Sequence, residues 1–370
     1  MVNNTALFDK LDDLADLEIA ILLCLVAREH GIIDTDADHL DDLENELSLI
    51  VENTFKLSKA VVDCSPGTSW EEFSNAILIP RRDAYANQQL QSSHSKLNVD
   101  VHRESGSFHS ERAFREQHGS RNKDERTLVN VVIAKNLNQA PETVQIQVLE
   151  LIQSKRIFIK ALVYNAPEIF LLIPLLSISR KPFSTLLNKH LNDHIYLSHH
   201  HGRADRFTNL EEASDWISDE AASEASVLRP APSSPRSFQK SYITKEDIDI
   251  LQQLSNNVSA SADVNCYLQN FVVFLRLHRG VAGGVSPVAT RHFRLLARCL
   301  AAFQHLDLLI PSLIAIAAKK TYRHRIIVAG PRDDRSLLYE SSLEAAKYVL
   351  TGLTPEDIIE ETLVEVEAPL

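Results

Sequence analysis

The chain has 370 residues, 44% apolar and 24% charged, and carries a net charge of −12. Only 10 residues are glycine, where average usage is roughly 7%; no G-x-G-x-x-G and no Gly-Lys pair occurs, which excludes an intact P-loop and a dinucleotide-binding fingerprint. The acidic balance argues against a general nucleic-acid binder, because phosphate affinity comes from clustered Lys and Arg.

The length suggests two domains on a soft prior of about 150 residues each. Residues 1–16 are acidic and lack the basic start of a signal peptide. The longest apolar run, residues 19–27, is too short to cross a bilayer. A soluble intracellular protein of cytoplasm or nucleus is expected, without nucleic-acid or membrane partners. Cys24, Cys64, Cys266 and Cys299 are too far apart for a zinc knuckle or a C-x-x-C redox motif, and are expected to be small buried thiols.

Residues 7–29 predict a helix, with Leu14, Leu17, Ile21, Cys24 and Leu25 on one apolar face. Ile32-Ile33 suits a brief strand. Asp34-Thr35-Asp36-Ala37-Asp38-His39 reads as an acidic turn, followed by a helix over 40–55. Residues 60–64 are β-branched and predict a buried strand closed by Ser65-Pro66-Gly67. Ser69 is a candidate N-cap for a helix over 70–78. Residues 81–127 are polar and poor in apolar side chains, which reads as a flexible insertion. Residues 128–134 and 170–176 predict buried strands around a helix over 142–153; residues 156–162 alternate, with a turn at 164–167. Strand–helix–strand order with near-continuous apolar strands predicts an α/β domain around a parallel sheet. Residues 203–240 form a Ser/Pro-rich linker. Beyond it, residues 243–278, 286–303, 311–319 and 354–362 read as helical, the first opened by Thr244 and Asp247 as an acidic cap box.

Val131 to Phe158 carries the most specific pattern. Asn138, Gln139, Ala140, Pro141, Val144, Gln145, Leu149 and Glu150 resemble the second nucleotide-binding block of the AAA+ ATPases of the MoxR and magnesium-chelatase I-subunit clan. Leu191-Asn192-Asp193-His194-Ile195, Val285-Ser286-Pro287 and Tyr322-Arg323-His324-Arg325-Ile326 resemble later blocks of that clan, in its order. The resemblance implies an α/β, AAA+-like parallel-sheet core of the P-loop NTPase fold over residues 1–202 and a small all-helical lid over 241–370. It also implies protein partners and homo- or hetero-oligomeric rings.

The ATP machinery implied by the resemblance is altered throughout. The Walker A position holds Thr35, Asp36, Ala37, Asp38, His39, Leu40, Asp41 and Asp42, and in either of two adjacent registers it has no Lys. Carboxylates there repel a triphosphate. Lys135 and Asn136 stand in place of the Walker B Asp and Glu, which hold Mg²⁺ and orient water. The sensor positions carry Ser177 and Val288, with Arg291 one turn on, and His194 replaces an arginine. The expectation is a pseudo-ATPase scaffold with no cofactor. The alternative is a magnesium-chelatase-type subunit or MoxR-like remodelling ATPase that uses ATP and Mg²⁺. Other residues read as non-functional. His199-His200-His201 suggests a solvated strand end, and Arg323, His324 and Arg325 a solvated helix end. The aspartates at 34, 36, 38, 41 and 42 lack the Gly and Glu of a Ca²⁺ loop.

Overall fold

The structure is a computed structural model and describes residues 5–80, 126–159, 162–177, 182–202, 205, 207–210 and 242–369. Most of the polar insertion and the Ser/Pro-rich linker lie outside the described residues. Two helices open the chain, α1 (Thr5–Asp12) and α2 (Asp16–Ala27). The single helix expected over 7–29 is broken because Glu18 turns back to accept from the Ala15 N–H at 2.9 Å and from the Thr54 hydroxyl at 2.7 Å. Helix α2 is apolar almost all round, and it is buried almost all round, as such helices must be. It lies between the sheet and the C-terminal helices.

The core sheet has five parallel strands in the order β2-β5-β8-β1-β9. They are β1 (His30–Thr35), β2 (Lys59–Asp63), β5 (Val131–Lys135), β8 (Leu171–Ser177) and β9 (Ile195–His201). Alternate residues face opposite layers: Val131, Ile133, Leu171 and Ile173 join one apolar cluster, and Val132, Ala134, Leu172 and Leu176 the other. Strand β1 is longer than Ile32-Ile33 suggested. It begins at His30 and Gly31, where a Cβ on Gly31 would lie 2.6 Å from Cys24 Sγ, and it ends by taking Asp34 and Thr35 out of the expected acidic turn.

Helix α3 (Leu40–Leu49) follows β1 and runs on as a π-helical turn over Ile50–Thr54. Helix α4 (Trp70–Ala76) is capped by the Ser69–Glu72 box. The short strands β3 (Leu78–Pro80) and β4 (Arg126–Leu128) pair antiparallel, so residues 126 and 127 are strand and not insertion. Helix α5 (Glu142–Ser154) leads into a hairpin of β6 (Arg156–Ile159) and β7 (Leu162–Asn165). Tyr164 and Asn165 are therefore in its second strand, not in a turn. Helix α6 (Lys189–His194) enters β9.

The C-terminal region is mostly helical: α7 (Lys245–Asn257), α8 (Ala262–Leu277), α9 (Pro287–Phe303), α10 (Pro311–Tyr322), α11 (Leu343–Leu350) and α12 (Pro355–Glu365). The expected helix over 243–278 is two, because Ser261 caps the second by accepting from the Val264 N–H at 3.2 Å. A two-stranded ribbon of β10 (Val281–Gly283) and β11 (Ile327–Val328) adds strand to a region read as all helix. The apolar cluster of α2 and α3 continues into α7–α10 and α12, so core and lid share one interior.

Candidate functional site

Parallel strands bring their last residues to one edge of the sheet, where ligands of open α/β folds bind. Thr35, Lys135, Ser177 and His201 end β1, β5, β8 and β9 there. Thr35 is buried and its hydroxyl donates to the His201 carbonyl at 2.8 Å. Asp36 alone separates β1 from a 3₁₀ turn, Ala37–His39, that runs straight into α3. The His39 N–H is spent on the Asp36 carbonyl at 3.1 Å. A phosphate cradle needs free backbone N–H groups on a glycine-rich loop, and this short turn holds no glycine and has the His39 N–H already engaged.

Lys135 is the centre of the edge. Its side chain is 11% exposed, and its ammonium donates to Asp41 Oδ1 and, at 2.7 Å, to Glu44 Oε2. Burial works against the charged form, but hydrogen bonds and attraction from the two carboxylates win and hold its pKa above the usual lysine value. Asn136 adopts φ 53, a region Asn tolerates, and its amide donates to Asp63 Oδ1 at 3.1 Å. The signs at this edge are the reverse of a nucleotide site: the cation sits on β5 and the carboxylates on the helix after β1.

Of the expected sensor positions, Ser177 ends β8 at this edge, while Val288 and Arg291 are not brought to it. Arg291 lies 3.7 Å from Glu29, just before the first residue of β1. Val288 shares the same end of α9. That is the amino edge, roughly 17 Å away along a six-residue strand at about 3.3 Å per residue. His194 also lies there, against Gln153. The residues shared with the resembled block do structural work. Gln145 donates to the Ala140 carbonyl at 3.1 Å and accepts from the Asn188 N–H at 2.7 Å, and Pro141 begins α5.

Two runs read as solvated are core contacts. His199 and His201 are buried and only His200 is exposed, because a strand alternates its faces. The Arg-His-Arg run closes the lid onto the sheet. Arg323 donates to both oxygens of Asp34, at 2.6 and 2.9 Å, and to Glu356 at 2.8 Å. His200 Nδ1 is 2.8 Å from the same Asp34 carboxylate, which is fully buried. Arg325 is buried; it donates to the carbonyls of Thr321 at 2.9 Å, of Asp193 at 3.0 Å and of Ile195, and burial pulls its pKa down to about 10. No short-range pattern in the sequence marks Asp34, whose Arg partner is 289 residues away. Among the cysteines, Cys24, Cys64 and Cys299 are buried, while Cys266 is exposed, against expectation.

The buried histidines make acid lability an expected property. Burial pushes His30 down to about 4 and His199 down to about 3, the latter beside Lys320 Nζ at 3.1 Å. The unfolded chain protonates them near 6.5. Between about pH 6.5 and 4 the unfolded state binds more protons, so stability present above 6.5 is lost as pH falls, with each group contributing up to about 1.4 kcal/mol per pH unit. The melting temperature is expected to fall between pH 7.5 and pH 5; an equal melting temperature at the two values would contradict this.

Comparison with protein-family models finds no match, and comparison with curated proteins finds none. Among solved structures, the chain resembles the crystal structure of a candidate ATPase from Cytophaga hutchinsonii, at 16% identity and a TM-score of 0.61, over 99% of this chain and 94% of that one. A full-length MCM homolog from Methanopyrus kandleri aligns at 11% identity and a TM-score of 0.43, over 87% of this chain and 59% of that one. The sheet order and the first likeness give the chain an AAA+ ATPase-like fold. Among the described residues, no helix is long and apolar enough to cross a membrane.

Proposed function

We propose that the chain is a pseudo-ATPase related to the MoxR and magnesium-chelatase I-subunit clan, and that it serves as a protein-interaction or scaffold subunit. The observation that carries this reading is Lys135 clasped by Asp41 and Glu44. A Mg²⁺-nucleotide needs a cation on the loop after β1 and a carboxylate on β5. Here a triphosphate would meet Asp41 and Asp42, a Mg²⁺ would meet an ammonium, and the residues present do not fit the pair. Retention of Gln145 and Pro141 in structural roles suits a fold kept for its surfaces, with protein partners in a homo- or hetero-oligomer.

The rival reading, an ATP-dependent remodelling or chelatase-type subunit, draws on the likeness to a candidate ATPase. Steady-state hydrolysis of ATP with Mg²⁺ by the purified chain separates the two. No turnover above buffer is expected, and turnover that rises with enzyme concentration would overturn the proposal. A mass measurement in the same buffer without nucleotide reads the assembly state.

A further inference from the structure

The geometry points to a binding site for a small molecule carrying a phosphate chain, in a cavity between the amino edge of the sheet and the lid. The cavity has a volume of about 420 Å³, within the range of roughly 300–1,000 Å³ common for small-ligand sites. Four cationic side chains line it: Lys189 from α6, Arg276 from α8, Arg325 after α10, and Arg335. Among the described residues its one carboxylate, Asp193, is already engaged, accepting from the Ser286 hydroxyl at 2.6 Å and lying 3.7 Å from Arg325 Nε.

Among the described residues, Lys189, Arg276 and Arg335 have no carboxylate partner; the Arg276 guanidinium is steered by the Val285 carbonyl at 3.1 Å and the Thr290 hydroxyl at 3.3 Å. By contrast, Arg28 is paired with Asp249 and Arg279 with Asp334. Gathering unpaired cations around a concave wall is unfavourable by itself and is relieved by an anion.

The wall supports the same ligand. Gly283 and Gly284 present bare backbone to the cavity. Gly284 sits at φ +100, and a Cβ there would fall 2.0 Å from the Arg325 carbonyl oxygen, so that position cannot carry a side chain. The 17-residue helix α9 starts at the cavity, with Ser286 as its N-cap, and its dipole adds positive potential. Arginine forks and a lysine point charge together suit a chain of phosphates. The cavity lining includes neither Thr35 nor Lys135 nor any residue of the five-stranded sheet, so the assignment stands apart from the pseudo-ATPase reading.

Calorimetric titration of the full chain with inorganic tripolyphosphate, without Mg²⁺ and at low salt, tests it. Saturable binding is expected, weakened about tenfold or more when the exposed pair Lys189→Ala/Arg335→Ala is introduced, and left unchanged by Lys135→Ala. A parallel titration with Mg²⁺-free ATP separates the sources: equal affinity assigns the bare phosphate chain as the ligand, and tighter binding assigns a nucleotide. Absence of binding, or binding that survives the double substitution or is lost on Lys135→Ala, overturns the assignment.

Discussion

Arg323→Ala is expected to destabilise the fold by about 3–5 kcal/mol, the cost of leaving a buried charge without its partner. The partner is Asp34, fully buried on β1 and held by both Arg323 nitrogens. His200 also faces that carboxylate, but its side chain is 42% exposed and offers a single contact in place of the guanidinium's two. Arg323 also reaches Glu356 on α12 and lies over the Phe183 ring at 5.1 Å. One side chain therefore ties β1, the lid and the last helix together. Urea unfolding checks this. The double variant Asp34→Ala/Arg323→Ala should recover part of the loss, because it removes the orphan charge with its partner. A loss below about 1 kcal/mol for Arg323→Ala, the level of an exposed pair, would show that the contact does not hold the lid.

That clasp explains what was and was not legible in the sequence. Strands β5 and β8 were readable because every residue of Val131–Lys135 is buried and Leu171–Ser177 is nearly so, which leaves an uninterrupted apolar run. Helices α3, α5 and α9 were readable from apolar spacing. Strand β1 was half hidden, since His30, Asp34 and Thr35 are polar and yet buried. Their burial depends on partners: the Leu172 N–H donates to His30 Nδ1 at 3.1 Å, and Arg323 neutralises Asp34. The buried histidines of β9 were hidden because three polar residues in a row carry no apolar pattern. At the carboxyl edge, the absence of a lysine from residues 35–42 and its presence at 135 were visible. The pairing there was not, because Lys135 and its carboxylates are separated by 91 and 94 residues. A lone lysine ending an apolar strand was the available clue: such a charge must find a partner.

Lys135→Glu is expected to cost about 4 kcal/mol, since it places a third carboxylate in a nearly covered position against Asp41 and Glu44. Lys135→Ala should cost less, about 2 kcal/mol, the scale of a charge-assisted hydrogen bond; Asp41 is 83% exposed and water takes over part of its solvation. The two substitutions separate packing from charge. A triple reversal, Lys135→Glu with Asp41→Lys and Glu44→Lys, restores opposite signs and should regain most of what Lys135→Glu alone loses, as read by the urea midpoint. The reversal also bears on function. It puts a carboxylate on β5 and cations on the helix after β1, the polarity of a nucleotide site, while the glycine-free Asp36–His39 turn stays as it is. Because residues 35–42 still hold no glycine-rich loop, the reversed protein is still expected to show no turnover of Mg²⁺-ATP. Turnover in the triple variant would mean that charge alone separates this edge from an ATPase; continued inactivity would place the barrier beyond these three side chains.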